Sequence, residues 1–154
     1  MSSRLSFKHY PQAMKPLFDF SAAVHANGLE QPLVELILLR VSQLNGCAYC
    51  IDMHSKDARA TGETEQRLYL LQAWREAPFY SERECAALAW AEAVTQLGEH
   101  GVPEEVFARA RAAFSEEELV KLNLVVILIN AWNRIAIPFG AVPGEYQPSA
   151  RRAA

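Results

Sequence analysis

Apolar positions recur along this chain at three- and four-residue spacing, and no stretch alternates with the period of a strand between turn residues. Residues 11–27 carry Met14, Leu17, Phe18, Ala22 and Val24, and Asn27-Gly28 reads as the helix stop. Residues 31–45 place Leu33, Leu36, Ile37, Leu39, Val41 and Leu44 on a broad apolar face closed by Gly46. A third helix is expected from near Cys47 to Thr61-Gly62, and a fourth over 64–74. Ser81-x-x-Glu84 is a capping box opening "ECAALAWAEAVTQL", which Gly98 or Gly101 closes. Pro103 suits the first turn of a short helix to about residue 112. Ser115-x-x-Glu118 is a second capping box, opening a long apolar helix that runs to Pro138. That helix is apolar on more than one face, which predicts a place at the centre of a bundle or in a subunit contact.

The pattern contains neither a tandem repeat nor an internal linker. It predicts one all-α domain over residues 1–138, a single-domain helical bundle of six or seven helices, with 139–154 as a C-terminal tail. The chain's 154 residues suffice to bury one core without disulfides or metals. A formal net charge of -3 offers no electrostatic case for nucleic acid or an anionic membrane, and the Arg151-Arg152 pair is too short to alter that. No apolar run is expected to reach the ~20 residues that cross a bilayer. The N-terminal "MSSRLSFKHYPQ" has no apolar stretch before a small-residue cleavage site, so a cytoplasmic protein is expected. Three cysteines make a poor basis for a secreted disulfide framework. In a reducing cytosol a close pair points instead to catalysis or metal binding.

The chemistry concentrates in "NGCAYCIDMH", residues 45–54. With Gly46 ending one helix, Cys47 falls near the N-cap of the next and Cys50 in its first turn. A spacing of three brings both sulfurs to one side of that turn, close enough for a reversible disulfide. Unsatisfied N–H groups at a helix start favour a thiolate over a thiol. His54 lies one turn beyond Cys50 on the same face, where it can take the Cys50 proton or hold the thiolate as an ion pair. Glu35 sits among apolar neighbours in "PLVELILL", where a buried carboxylate needs a partner. Antiparallel packing about Gly46 would set Glu35 beside His54, to orient the imidazole and raise its basicity.

Glu35, eleven residues, Cys47-Ala48-Tyr49-Cys50, three residues and His54 together resemble the active-site motif of the alkylhydroperoxidase D-like (AhpD-like) proteins of the carboxymuconolactone decarboxylase superfamily. The resemblance is close over residues 33–62, and "INAWNRIAI" at 129–137 is similar to a recurring segment of these proteins. It implies an AhpD-like bundle assembling as a homo-oligomer, a trimer or hexamer, and reduction of an organic hydroperoxide or hydrogen peroxide by the cysteine pair. Cys50 would attack and become a sulfenic acid, Cys47 would resolve it to a disulfide, and His54 and Glu35 would relay protons. A thiol or dihydrolipoyl donor would restore the dithiol, and no flavin, haem or metal cofactor is required. Tyr49 stands where alkylhydroperoxidase D proper carries a histidine. The resemblance is therefore to the broader AhpD-like group.

Other assignments compete at each residue. Cys47, Cys50, His54 and Glu35 could supply a zinc ion, although structural zinc generally uses a second close Cys or His pair and none is visible. A thiol–disulfide sensor or exchanger without peroxidase turnover would need the same cysteines. A carboxymuconolactone decarboxylase-like enzyme is disfavoured because such members typically lack the CxxC pair. Cys85 is expected in the core. His9, His25 and His100 are expected at helix ends or in loops, and Asp52 and Asp57 off the Cys50/His54 face as solvated or dipole-facing groups. Asn130, Trp132, Asn133 and Arg134 read first as structural, Trp132 in the core and the polar groups bonding across a contact; lining the cleft is their second reading. Phe7, Tyr10, Phe18 and Phe20 read as core or interface, with one or two available to wall an apolar pocket.

Overall fold

The computed structural model describes residues 3–148. Arg151, Arg152, the rest of 149–154 and the first two positions lie outside the described residues. Seven α-helices follow in order: α1 (Pro11–His25), α2 (Gln31–Asn45), α3 (Ala48–Ala60), α4 (Glu65–Leu70), α5 (Glu82–Thr95), α6 (Glu104–Ala113) and α7 (Glu116–Phe139). Short 3-10 turns lie at Phe7–His9 and Leu71–Ala73. Among the described residues there is no strand beyond an isolated bridge between Gly98 and Gly101. The helix expected over 64–74 leaves α geometry at Leu71, where Leu71 and Trp74 turn into the core.

Local chemistry sets the helix ends as the pattern predicted. Ser81 and Ser115 each form reciprocal capping boxes, with Glu84 and Glu118 respectively. Glu118 is held down to about 2, chiefly by the Ser115 backbone N–H and then by Arg83. Gly46 caps α2 with φ 69°, a left-handed conformation that a Cβ disfavours, and its N–H reaches the carbonyls of Ser42 and Gln43. The last carbonyls of α7 meet the chain's beginning: Arg4 N–H donates to the Phe139 carbonyl at 2.9 Å.

α2 is the hub, packing on α3, α5 and α7, with every residue from Leu33 to Leu39 buried. The helix α7 is long and apolar enough to cross a membrane by length and composition, which corrects the expectation from the sequence. The physical reason is its place in the bundle. It packs against α1, α2, α3, α5 and α6, so apolar residues are wanted on several of its faces, while Val120, Ile127 and Ile137 stay exposed.

Two polar clusters interrupt this core. The Ser42 hydroxyl donates to the Leu38 carbonyl and accepts from Asn133 Nδ2; Asn45 Nδ2 donates to Asn133 and Asn130, and Asn130 Nδ2 to Thr95. These bonds tie α2, α5 and α7 together and satisfy the fully buried Asn133. The structural reading of Asn130 and Asn133 therefore holds. Arg134 is exposed and donates to the Asn130 carbonyl and side chain. The second cluster centres on Glu92, which accepts from Arg40 Nε at 2.7 Å and Trp74 Nε1 at 2.8 Å and pairs with Arg75 at 2.6 Å.

Burial alone would raise the Glu92 carboxyl, but the bonds from Trp74, Arg40 and Arg75 outweigh it and hold it below the ordinary range. Its stabilisation is therefore present above the unfolded carboxylate pKa and lost as pH falls through the lowered folded value. Glu92→Gln should cost about 2–3 kcal/mol near pH 7, where it leaves Arg40 short of a partner in a largely buried site. Thermal melts at pH 7, 5 and 3 should show the wild-type advantage shrinking towards the acid end. A constant offset across that range would reject the assignment.

Candidate functional site

The turn at Gly46 builds the site. Directly after it Cys47 takes an extended conformation as the N-cap of α3, its N–H donating to the Ser42 carbonyl at 3.0 Å. Its sulfur accepts from the Cys50 N–H at 3.3 Å, the capping bond a serine would ordinarily make. Cys47 and Cys50 are joined as a disulfide, with their Cα atoms 5.3 Å apart. Both are buried, against Ala136 of α7 with Tyr49 and Ala141 packed alongside.

His54 follows one turn later and is buried at 5% exposure; Glu35, on the facing side of α2, is buried at 1%. Nδ1 of His54 lies 3.3 Å from Glu35 Oε2. An ionised carboxylate only accepts, so this bond places a hydrogen on Nδ1 and leaves Nε2 as the lone-pair nitrogen. The other Glu35 oxygen accepts from Gln31 Nε2 at 2.7 Å, one turn earlier in α2. Glu35, Cys47, Cys50 and His54 are thus brought together as their spacing predicted. Gln31 adds a second bond to the carboxylate, and an i, i+4 relation to Glu35 was the signal for it.

Asp57 is a correction. It is not a solvated group off the Cys50 face: only 1% of it is exposed, and a carboxylate oxygen lies within 4.8 Å of a Glu35 oxygen and a His54 ring nitrogen. The helical arithmetic is plain, since seven residues advance the wheel by two turns less about 20°, nearly eclipsing Cys50. Asp52 does sit off that face and is half-exposed. The Lys56 ammonium, helped by the Gly144 N–H, keeps its carboxyl below the usual range even against partial burial.

Cys50, His54 and Asp57 open onto a cavity of about 350 Å³. Cys50 lines it and Cys47 does not. Leu38, Met53, Leu128, Ile129 and Ala136 contribute most of the apolar lining, and Phe7, Phe18 and Trp132 form an aromatic wall. Trp132 lies 5.4 Å from Phe18 and 6.0 Å from Phe7 between ring centroids, both tilted. Trp132 packs against the core, as first read, and also faces the cleft, because α7 turns that side towards α1 and the N-terminal 3-10 turn. Phe20 packs on the core, whereas Tyr10 is exposed.

Among the histidines outside the motif, His25 ends α1 and lines the cavity, whereas His9 lies in the first 3-10 turn and His100 in an exposed loop. Cys85 is half-buried and takes no part; burial pushes its thiol up, and its sulfur contacts the Tyr80 carbonyl at 3.7 Å. Tyr146 also reaches the cavity from the segment expected to be a tail. No local pattern signals it, because its position depends on a chain reversal after Gly140.

The model of the carboxymuconolactone decarboxylase family matches residues 11–93, which spans α1 to most of α5. The uncharacterized protein YdfG of Bacillus subtilis is 46% identical over 141 residues, 91% of this chain and 96% of the relative. The uncharacterized protein YnjA of Escherichia coli is 30% identical over 103 residues, covering 66% of this chain and 56% of YnjA. A crystal structure from Agrobacterium tumefaciens, of unknown function and described as an antioxidant defence protein AhpD, superposes with a TM-score of 0.90. It shares 42% identity over 94% of this chain and all of the other. The debrominase Bmp8 shares the fold, with a TM-score of 0.81, 21% identity, and coverage of 90% of this chain and 75% of its own. With the motif held on α2 and α3 as the resemblance required, the chain belongs to the carboxymuconolactone decarboxylase family, among its AhpD-like proteins.

Proposed function

We propose that this protein is a cysteine-based hydroperoxide reductase. The observation that carries the reading is the pairing of a Cys47–Cys50 disulfide at the start of α3 with a buried His54–Glu35 pair, beside an apolar cavity that only Cys50 of the two cysteines lines. In the reduced protein His54 accepts the Cys50 proton, and the resulting thiolate attacks one peroxide oxygen. An S–O bond forms, the O–O bond breaks, and the departing alkoxide takes the proton from His54 to leave as an alcohol. Cys50, oxidised by two electrons, is then a sulfenic acid. The Cys47 sulfur displaces its hydroxyl, forming the disulfide and releasing water with the Cys47 proton. An external thiol or dihydrolipoyl donor reduces that disulfide and is itself oxidised, returning two protons and two electrons.

A helix terminus acidifies Cys47 as well as Cys50, yet the directed base lies one turn beyond Cys50 and the cavity opens on Cys50. That supports Cys50 as the attacking sulfur and Cys47 as the resolving one. The apolar lining favours an organic hydroperoxide, whose body it would desolvate, over hydrogen peroxide. A cytoplasmic, homo-oligomeric enzyme, trimeric or hexameric, that binds neither nucleic acid nor membrane belongs to the same reading, with the net charge of -3 in its support. A sensor or exchanger without turnover would use the same dithiol but gives the cavity no role.

Adding one equivalent of cumene hydroperoxide to the reduced protein should form the disulfide far faster than a free thiol reacts. Cys50→Ser should abolish the reaction, and Cys47→Ser should halt it at the sulfenic acid, read by mass. Oxidation at the pace of an ordinary thiol would leave the sensor or exchanger, and stoichiometric zinc in the same samples would instead favour a metal site.

The relay has its own test. Glu35→Gln keeps the shape but removes the charge that steadies a protonated imidazole, so the oxidation rate should fall about ten- to a hundredfold. Unchanged thiol reactivity in that variant would mean that Glu35 only fills space.

A further inference from the structure

Two features of the site have no part in the chemistry above: the buried Asp57 and the segment 141–148. That segment has no regular secondary structure, yet it is bonded to α3 along its length. Gly144 N–H donates to Asp52 Oδ2 at 3.0 Å, and Lys56 Nζ donates to the carbonyls of Gly144 and Tyr146 at 3.3 and 3.0 Å. These bonds carry Tyr146 into the cavity, where its hydroxyl donates to Asp57 Oδ1 at 2.7 Å. Residues 141–148 thus act as a strap laid over α3 rather than a free tail.

We propose that Asp57, held by the Tyr146 hydroxyl, is a positioning residue that acts through His54 and makes Cys50 more acidic. The argument rests on the Cys50–His54 part of the proposed function and on charge in a dry site. Glu35, His54 and Asp57 are all buried, with their polar atoms within 4.8 Å of one another. Two carboxylates that close repel when both are ionised, and the group able to offset them from within the cluster is a protonated His54. The pair is therefore biased towards steadying the positive charge that His54 gains when it takes a proton. Once the disulfide is reduced, the Cys50 proton is the one that His54 can take, so the same bias favours a Cys50 thiolate. The Tyr146 hydroxyl donates to Asp57 Oδ1 and so fixes where that carboxylate sits beside His54.

The other charged or titratable groups facing the cavity must be counted too. Lys8 and His25 contribute from the first two elements and Tyr49 from α3, while Leu38 of α2 and the α7 lining of Leu128, Ile129, Trp132 and Ala136 are uncharged. Lys8 is exposed at the rim, where solvent screens it, and His25 is half-buried at the end of α1.

The test is the rate at which iodoacetamide alkylates Cys50 in the reduced full-length protein, followed by peptide mass from pH 5 to 9. No peroxide is involved, so the outcome is separable from the hydroperoxide experiment. Asp57→Asn should move the midpoint of the profile up by about one pH unit, a roughly tenfold slower reaction below the midpoint. Tyr146→Phe, which removes only the hydroxyl, should move it the same way by less, about threefold in rate, with its melting temperature close to wild type. A purely structural role would lower the melting temperature and leave the midpoint where it was. Unmoved midpoints in both variants, or in Tyr146→Phe alone should Asp57→Asn fail to fold, would overturn the proposal. If the midpoints move while wild-type oxidation by cumene hydroperoxide stays slow, the positioning role stands and the peroxidase reading falls.

Discussion

The left-handed turn at Gly46 is the constraint on which the site depends. It stops α2, reverses the chain in one residue and starts α3 at Cys47. Glu35 lies about three turns before it and His54 about two turns after, so an antiparallel return sets the two side chains opposite each other. The same turn makes Cys47 an N-cap and places Cys50 where the helix's unsatisfied N–H groups concentrate. A longer connection would separate the cysteines from the base and the base from its carboxylate.

Burying such a cluster opposes folding, and the surrounding structure offsets the penalty locally. Glu35 is met by Gln31 as well as His54, and Asp57 by Tyr146. The neighbouring Ser42–Asn133–Asn45 bonds serve the same end, with Ser42 and Asn45 from α2 meeting Asn133 and Asn130 of α7. α2 is therefore a helix whose apolar residues hold the bundle while its polar ones, Gln31, Glu35, Arg40, Ser42 and Asn45, face particular partners. Polar groups that are satisfied in only one arrangement also help to specify it, since any slip of α2 would strand a carboxylate without a donor.

The cavity has a different origin. Its walls come from α1, α2, α3, α7, the first 3-10 turn and the strap at 141–148, so no single element encodes it. Aromatic rings from three of these meet around Trp132, and the polar groups gather on the α3 side. An apolar pocket with its reactive sulfur and base along one wall suits a substrate that is mostly hydrocarbon with one reducible bond, in keeping with the chemistry proposed.

Much of this was legible in the chain itself, because the relevant physics is local. Helix periodicity, the Ser81 and Ser115 capping boxes and the glycine stops depend on neighbours within a turn, and they located the helices with small errors. Cys47, Cys50 and His54 share a helix start, so their spacing alone brought them together. Glu35 needed one further step, the reversal at Gly46. Asp57 was also within reach, since a seven-residue interval returns to the same helical face. Only tertiary structure decided the rest: that Tyr146 folds back onto Asp57, that Trp132 faces the cleft with Phe7 and Phe18, and that an apolar α7 packs against five other helices. Each of these joins residues far apart in sequence, and a local pattern carries no record of which surfaces meet once the chain has folded.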